Sequence, residues 1–445
     1  MRGRFTDLSM SLESAVLARL AAWRHAPCWR VAFSGGLDST VLLHMLATAA
    51  RHHELPPIRA VHIHHGLQAV AEQWPAHCQR FCDELGVPLD IVPVQVVPGA
   101  SLERAARDAR YAAFTDLMKA DEVLLLAQHQ DDQAETLLYR LLRGAGVRGL
   151  AAMAQSRSLG AGHAVRPLLE VPRKTLEAYA ARYGLQWVED PSNGDSGFAR
   201  NFLRRDILPQ LATHWPGVSA VLARAAAHQA EAHGLLQDLA EIDLQYCRGQ
   251  LKISWLSIPC LDLSALRLLS EARQRNLLRH WLGNETRMPD SRHWQGWTDL
   301  RDAAADASPV WRLESGELRR HGDRLLWLGE AWRAPWSSKE QPWPDGERPL
   351  ELPGNGVVAF AGPVPDGRLS IAYRQGGEVL EVPGRGRRDL KRLLQETDVP
   401  EFIRPRLPLL KRDGQVLAVA NLRLDPSASE LRWQFSSVVR PVVAR

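Results

Sequence analysis

The sequence predicts an α/β protein: a parallel sheet with helices on both faces comes first, then a mainly helical region, then a small α+β region. Three observations carry that expectation. Between residues 29 and 190, short apolar runs alternate with segments of helical periodicity, the pattern of a parallel sheet covered on both sides. The first run leads through Ser34-Gly35-Gly36-Leu37-Asp38-Ser39 into the apolar stretch Thr40 to Leu46, which reads as strand, tight turn and helix. Further polar clusters, His62 to Gly66 and His129 to Asp132, fall where later strands should end, and open α/β sheets bind ligands at strand carboxyl ends.

The strand and helix pairs are 29–33 with 39–51, 58–63 with 69–85, 89–94 with 101–118, and 122–127 with 131–142. In the first turn, two glycines let backbone N–H groups and a helix N-terminus face an anion. The Gly-x-x-x-x-Gly-Lys spacing of Walker-type ATPases is absent, and a Ser-Gly-Gly turn read alone is also ordinary loop punctuation. From 217 to 331 the chain opens with an alanine- and leucine-rich helix over 218–242, followed by one over 264–282 carrying Arg273, Arg275 and Arg279. That basic face suits a polyanion or plain solvent. Residues 332–348, with Pro335, Pro342 and Pro344, read as a linker. The last region, 349–445, begins with strand-like runs and turns sharply basic at Arg385, Arg387, Arg388, Lys391 and Arg392, with Arg404 and Arg406 beyond. Such density fits phosphate contacts or a solubilising surface. The expected domains are therefore 1–216, 217–331 and 349–445, joined at 332–348.

A formal charge of +4 permits a nucleic-acid partner without demanding one. The five cysteines form no disulfide framework, and Cys78-x-x-x-Cys82 beside His77 has no second ligand pair for zinc. No signal-type apolar segment or 18-residue apolar run occurs, so a cytoplasmic protein with no membrane partner is expected.

The hexapeptide Ser34–Ser39 resembles the pyrophosphate loop of the N-type ATP pyrophosphatases, whose fold is adenine nucleotide alpha hydrolase-like. Four other stretches resemble the tRNA(Ile)-lysidine synthetase family within that superfamily. They are Val61-His-Ile-His-His-Gly66; Glu103-x-x-x-Arg107-x-x-Arg110-Tyr111; His129-x-Asp131-Asp132-Gln133-x-Glu135-Thr136 running to Arg143-Gly144-x-Gly146; and Arg166-Pro-Leu-Leu169 through Glu189-Asp190-x-Ser192-Asn193 to Arg200-Asn201-x-x-Arg204. The terminal region, with Gly376-Gly377, the basic run and Arg404-x-Arg406-x-Pro408, resembles that family too. Gln128 stands where the family commonly has the first of two adjacent histidines.

The resemblance implies a ligase that uses ATP, Mg²⁺ and free L-lysine to convert the anticodon cytidine of tRNA(Ile) with a CAU anticodon to lysidine. Gly35 and Gly36 amides with the Ser34 and Ser39 hydroxyls would hold the departing pyrophosphate. Leu37 lies in the same nucleotide loop, Asp38 would coordinate Mg²⁺ or brace the loop, and Ile63 would give backbone contacts to adenine. Asp131, Asp132 and Glu135 open a helix at spacings that share a face. As catalytic carboxylates they have two cations to receive, Mg²⁺ at Asp132 and the lysine ammonium at Glu135; the alternative is a helix cap with a solvated acidic face. Arg107 and Arg110 would meet phosphate or the substrate carboxylate, and Arg143 the tRNA. Asp190, Asn193, Arg200, Asn201 and Arg204 would close the pocket, recognise lysine or touch the anticodon loop, unless Arg200 and Arg204 simply pair with Asp195 and Glu189. The basic terminal residues would clamp the rest of the tRNA, and a homodimer stays open.

Three rivals remain. A tRNA thiolase would share the adenylating core, but no Cys-x-x-Cys pair accompanies it. A glutamine-dependent amidotransferase or small-molecule synthetase has no evident use for a basic terminal region, and this chain has no N-terminal catalytic cysteine. A non-enzymatic tRNA-binding protein would not need the loop and the acidic helix entrance together.

Overall fold

A computed structural model describes residues 12–66, 72–96, 102–191, 199–289, 291–304, 307–423 and 430–435. The chain forms two compact units, one ending at Leu235 and the other beginning at Leu236.

The first unit is built on a six-stranded sheet of order β3-β2-β1-β4-β6-β5. Its strands are β1 (Trp29–Ala32), β2 (Ile58–His64), β3 (Leu89–Pro93), β4 (Val123–Leu125), β5 (Ser156–Leu159) and β6 (Gly162–Val165). The first four and β6 run parallel, as expected. The hairpin partner β5 adds an antiparallel edge that sequence periodicity did not indicate. Because β2 and β3 lie to one side of β1 and β4 to the other, the strand order reverses between β1 and β4, where such sheets open a ligand crevice.

The helices are α1 (12–19), α2 (Leu37–Ala49), α3 (Trp74–Leu85), α4 (Leu102–Leu117), α5 (Gln130–Leu141), α6 (Val147–Leu150), α7 (Arg173–Tyr183), α8 (Ala199–Phe202), α9 (Leu208–His214) and α10 (Val218–Tyr246). Alternation along the strands divides their side chains between two cores. Val31, Ala60, Val123 and Leu125 pack with α1, α2, α3 and α7, while Val61, Ile63, Leu124 and Ala164 pack with Phe114 of α4 and Met118 just beyond it. Helix α2 is apolar nearly all round because it is enclosed. Between residues 217 and 235 the start of α10 belongs to this unit: Leu222, Ala225 and Ala226 pack with Leu137, Leu150 and Ala152. That packing carries the first compact unit past residue 216, the expected end of the first domain.

The second unit adds an antiparallel sheet to the helices expected in its first part. Strands β7 (Cys260–Asp262), β8 (Val310–Leu313), β9 (Gly316–His321) and β10 (Arg324–Gly329) pack against α11 (Leu263–Leu268), α12 (Glu271–Leu282) and α13 (Gln295–Asp302). After α14 (Glu330–Arg333), the expected linker is no free tether. It supplies β11 (Gln341–Pro342) to a sheet with β14 (Leu369–Ala372), β17 (Leu409–Arg412) and β18 (Gln415–Val419). Trp343 from this stretch is buried and stacks on Phe360 at 4.8 Å. The remaining elements are β12 (Leu350–Leu352), β13 (Gly356–Ala361) and β19 (Glu430–Gln434) in one sheet, the hairpin of β15 (Val379–Val382) and β16 (Gly386–Asp389), and α15 (Leu390–Glu396).

A buried ion pair ties the first sheet to the turn before β4. Arg30 is buried on β1 and bonds the buried Glu122 at 2.8 Å and Asp90 at 2.8 Å. Burial works against the Glu122 carboxylate, yet the Arg30 guanidinium holds its pKa below the ordinary value. Replacing Arg30 by Leu strands that carboxylate, so denaturant unfolding should show a loss of about 3–5 kcal/mol. The double replacement Arg30→Leu with Glu122→Leu should recover much of it; equal losses in both variants would show that packing, not charge, sets the effect.

Candidate active site

The loop after β1 is held from outside. Gly35 adopts φ +84°, and a Cβ there would meet Val188 Cγ2 at 3.0 Å and Cys78 Sγ at 3.1 Å, so conformation and space both require glycine. The Val188 N–H donates to the Gly35 carbonyl at 2.9 Å. Gly36 is the N-cap of α2. The Ser34 and Ser39 hydroxyls lie 3.1 Å apart; Ser39 Oγ accepts from Ser34 N–H at 3.2 Å, and Ser34 Oγ from Gly36 N–H at 3.3 Å. These hydroxyls and the first α2 amides are what an anion would meet. The Leu37 side chain is buried in the core, so only its backbone can serve a ligand.

Across the switch point, β4 leads into α5. His129, 1% exposed, caps this helix; Asp132 accepts from its backbone N–H at 3.0 Å. Its ring Nε2 lies 3.6 Å from Asp38 Oδ2 and 3.5 Å from Asp132 Oδ2, with Asp131 Oδ2 3.8 Å from Nδ1. Burial opposes the protonated ring, but the surrounding carboxylates outweigh it and raise the His129 pKa above the ordinary histidine value. Sequence alone marks His129 as the helix entrance and gives it no role. Its place immediately before the acidic pair is the available signal.

The acidic trio divides. Asp131 Oδ2 accepts from the Arg173 N–H at 2.9 Å and so caps α7, while Asp132 and Glu135 share two arginines. Arg200 donates to Asp132 Oδ1 and Glu135 Oε2, each at 3.0 Å. Arg204 reaches Asp132 Oδ1 at 2.9 Å, Glu135 Oε1 at 2.6 Å and Glu135 Oε2 at 3.0 Å. Burial works against the charged Asp132, but His129, Arg200 and Arg204 keep its carboxyl below the usual range. The alternative, that these arginines simply pair with Glu189, is not what the structure shows, since both turn to Asp132 and Glu135; Asp195 lies outside the described residues. Arg204 sits on a π-helical turn, Leu203–Ile207, a widened turn often found at functional sites.

Among the described residues no trio of His, Cys, Asp or Glu is grouped as an all-protein metal cage, whereas Mg²⁺ usually takes one or two carboxylates beside phosphate oxygens. Asp38 fits that use, since its buried Oδ1 has no hydrogen-bond partner. Asp132 does not, because both its oxygens are already engaged.

The other expected residues spread around this centre. Ile63 buries its side chain among Val61 and Leu124, leaving only its backbone near the strand end. Half-buried Arg110 lies within the electrostatic reach of Arg107 and Arg200; burial first, then these like charges, lower its pKa. Arg107 stands 5.1 Å from the Tyr111 ring centre, and exposed Arg143 donates to Tyr139 Oη at 2.8 Å. Asp190 and Asn201 both have partners, and Asn193 lies outside the described residues. In the second unit, Arg385, Arg387, Lys391 and Arg392 are exposed and Arg388 is half-buried. Arg385 and Arg392 both bond Glu396, at 2.9 and 3.3 Å.

Arg404 and Arg406 correct the expectation of a tRNA-facing pair, for both are buried. Arg404 bonds the Val399 carbonyl, and Arg406 bonds the carbonyls of Gly354, Trp332 and Ala334 at 3.0, 3.1 and 2.8 Å. The Arg406 guanidinium also lies 5.2 Å from the Trp336 ring centre. It ties the stretch expected to be a linker to the terminal sheets.

Family models match three stretches: a PP-loop domain over 9–211, a TilS substrate binding domain over 261–326 and a TilS substrate C-terminal domain over 369–435. The tRNA(Ile)-lysidine synthase of Pseudomonas aeruginosa is 58% identical over 431 residues, covering 96% of this chain and 97% of its own. That of Pseudomonas fluorescens is 57% identical with the same coverage, and that of Alkalilimnicola ehrlichii 44% identical over 92% of this chain and 93% of its own. Among solved structures, a tRNA thiolase from Methanococcus maripaludis covers 52% of this chain and 81% of its own, with a TM-score of 0.43 and 16% identity, too loose for an argument about chemistry. Identity of this extent, running through all three matched stretches, makes the chain a member of the tRNA(Ile)-lysidine synthase family.

Proposed function

We propose that this chain joins L-lysine to C2 of the wobble cytidine of tRNA(Ile) bearing a CAU anticodon, in two steps that share one crevice. The cytidine O2 attacks the α-phosphorus of ATP, the bond to the β-phosphate oxygen breaks, and pyrophosphate leaves. The lysine ε-amine, having shed a proton, then attacks C2; the C2–O2 bond breaks and AMP departs with that oxygen. The observation that carries this reading is the convergence at one switch point of an anion-receiving loop and a buried carboxylate pair, within a chain of this family.

The loop suits the first step. Amides of Gly36 and of the first α2 turn, with the Ser34 and Ser39 hydroxyls, would stabilise charge growing on the leaving pyrophosphate. Mg²⁺, when bound, would neutralise phosphate charge, and Asp38 is the residue suited to hold it. The strand end at Ile63 offers adenine a backbone edge. Half-buried Arg110 suits an anionic group of either substrate.

Asp132 and Glu135 suit the second step. A pair that holds two guanidiniums can receive an ammonium, and a carboxylate there can take the proton the amine must lose. The basic residues of β16 and α15 support a tRNA-binding surface, and the target base must leave its stack for C2 to be reached.

Incubation of the protein with ATP, Mg²⁺ and a CAU-anticodon isoleucine tRNA should add one lysyl group to the anticodon cytidine only when L-lysine is present, read by nucleoside mass; a tRNA left unmodified with lysine present would overturn the reading. Glu135→Gln should raise the KM for lysine at least tenfold while leaving lysine-independent pyrophosphate release within a few-fold, and an unchanged lysine KM would remove Glu135 from the lysine site.

The two classes of terminal arginine should separate. Replacing Arg387 and Lys391 by Ala should weaken tRNA binding and reduce its salt slope by about one for each phosphate that the variant no longer neutralises, with the melting temperature unchanged. Arg406→Ala should instead lower the melting temperature by several degrees; stability equal to the parent would contradict its structural assignment.

A further inference from the structure

We propose that His62 is a positioning residue for the nucleotide loop: its ring holds the Phe33 carbonyl so that the next amide is aimed at the phosphates. The proposal deepens the functional reading and rests on its assignment of the loop as the pyrophosphate site.

Strand β1 ends at Ala32, opposite Val61. The Phe33 N–H still donates to the Val61 carbonyl at 2.8 Å, but the Phe33 carbonyl accepts from His62 Nδ1, 2.9 Å away. A side chain of β2 thus takes over where the backbone ladder stops. In a trans peptide the N–H points opposite the preceding C=O, so holding the Phe33 carbonyl sets the direction of the Ser34 amide. Two peptides later the Val188 N–H holds the Gly35 carbonyl at 2.9 Å and sets the Gly36 amide in the same way. Both amides then reach only hydroxyl oxygens of the loop, at 3.2 and 3.3 Å. These long bonds are ones that a phosphate oxygen can replace.

The ring chemistry agrees. A carbonyl only accepts, so the bond assigns the proton to Nδ1 and leaves Nε2 as a bare lone pair. That atom is buried without a donor, in a side chain 2% exposed. Burial, ahead of the opposing bond to Phe33, lowers the His62 pKa and favours the neutral ring. An apolar residue would fill this space without stranding an acceptor, so the histidine is there for its other nitrogen. Cys78 Sγ packs 3.5 Å from that nitrogen and also lies beneath Gly35, 3.1 Å from where a Cβ would stand. Ring and loop therefore rest on the same turn of α3.

Three variants of the full chain separate positioning from packing. His62→Asn places an amide nitrogen near Nδ1, His62→Gln places it near Nε2, and His62→Phe keeps a ring without a donor. Lysine-independent pyrophosphate release in the presence of tRNA should fall about 10²-fold in the Gln and Phe variants, the cost of a misplaced catalytic group, with the KM for lysine unchanged. Asn should restore the rate to within a few-fold. Wild-type rates in all three variants, or an Asn variant as slow as Phe, would overturn the proposal. Calorimetric affinity for ATP without RNA should follow the same order, and equal affinities would count against it. This second measurement does not depend on the RNA substrate: a parent protein that binds ATP but never modifies tRNA would overturn the functional reading while the ranking of the variants still tests His62.

Discussion

The arrangement of the first unit depends on keeping negative charge at the inner ends of β1 and β4. Asp38, Asp131, Asp132 and Glu135 crowd one end of the sheet, and two of them are buried. Carboxylates placed so close cannot all remain ionised without cations or donors beside them. The protein supplies these from three directions: the His129 ring from the β4 end, Arg200 and Arg204 from the segment following the α7 region, and the first amide of α7 itself. Elements distant in sequence are thereby drawn to one point, where charges of both signs meet.

The same economy explains the loop. An anion site made of amides works only if those amides cannot turn back to their own carbonyls. Here the carbonyls are taken first, Phe33 by His62 and Gly35 by Val188. Gly35 is required because its left-handed conformation lets the chain fold against Val188 and Cys78. The topology puts this loop beside α5, since β1 and β4 are neighbours although they are separated by some ninety residues of chain. Fold and chemistry meet at the switch point because the polar caps of two adjacent strands have nowhere else to go.

Much of this was legible in the residues. The four strand and helix pairs of the first unit follow from alternation and helical periodicity, and Ser34–Ser39 marked the crevice. Periodicity failed where tertiary contacts decide. β5 and β6 are short and only partly apolar, and they earn strand status by pairing beside β4. Proline-rich 332–348 looked like a tether, but one tryptophan, Trp343, and one distant guanidinium, Arg406, bind it into the second unit. Arg404 and Arg406 show the general limit: composition counts charges, but burial decides whether they face a partner or the protein's own carbonyls. The pairing of Arg200 and Arg204 was missed for a similar reason, because their partners lie more than sixty residues away and nothing in local spacing points to them.

That pairing also constrains what the crevice can bind. Asp132 and Glu135 are satisfied by guanidiniums through five hydrogen bonds. A further cation gains little unless it brings its own anion or displaces a guanidinium, since each carboxylate has few acceptor directions left. A free amino acid with a cationic side chain carries both signs: its ammonium can share the carboxylates while its α-carboxylate faces the arginines. A bare metal ion offers no such exchange and is better served by Asp38, whose Oδ1 is unbonded. On the proposed reaction, this charge pattern would keep its two cations apart, the metal on the nucleotide side and the amine on the side of α5.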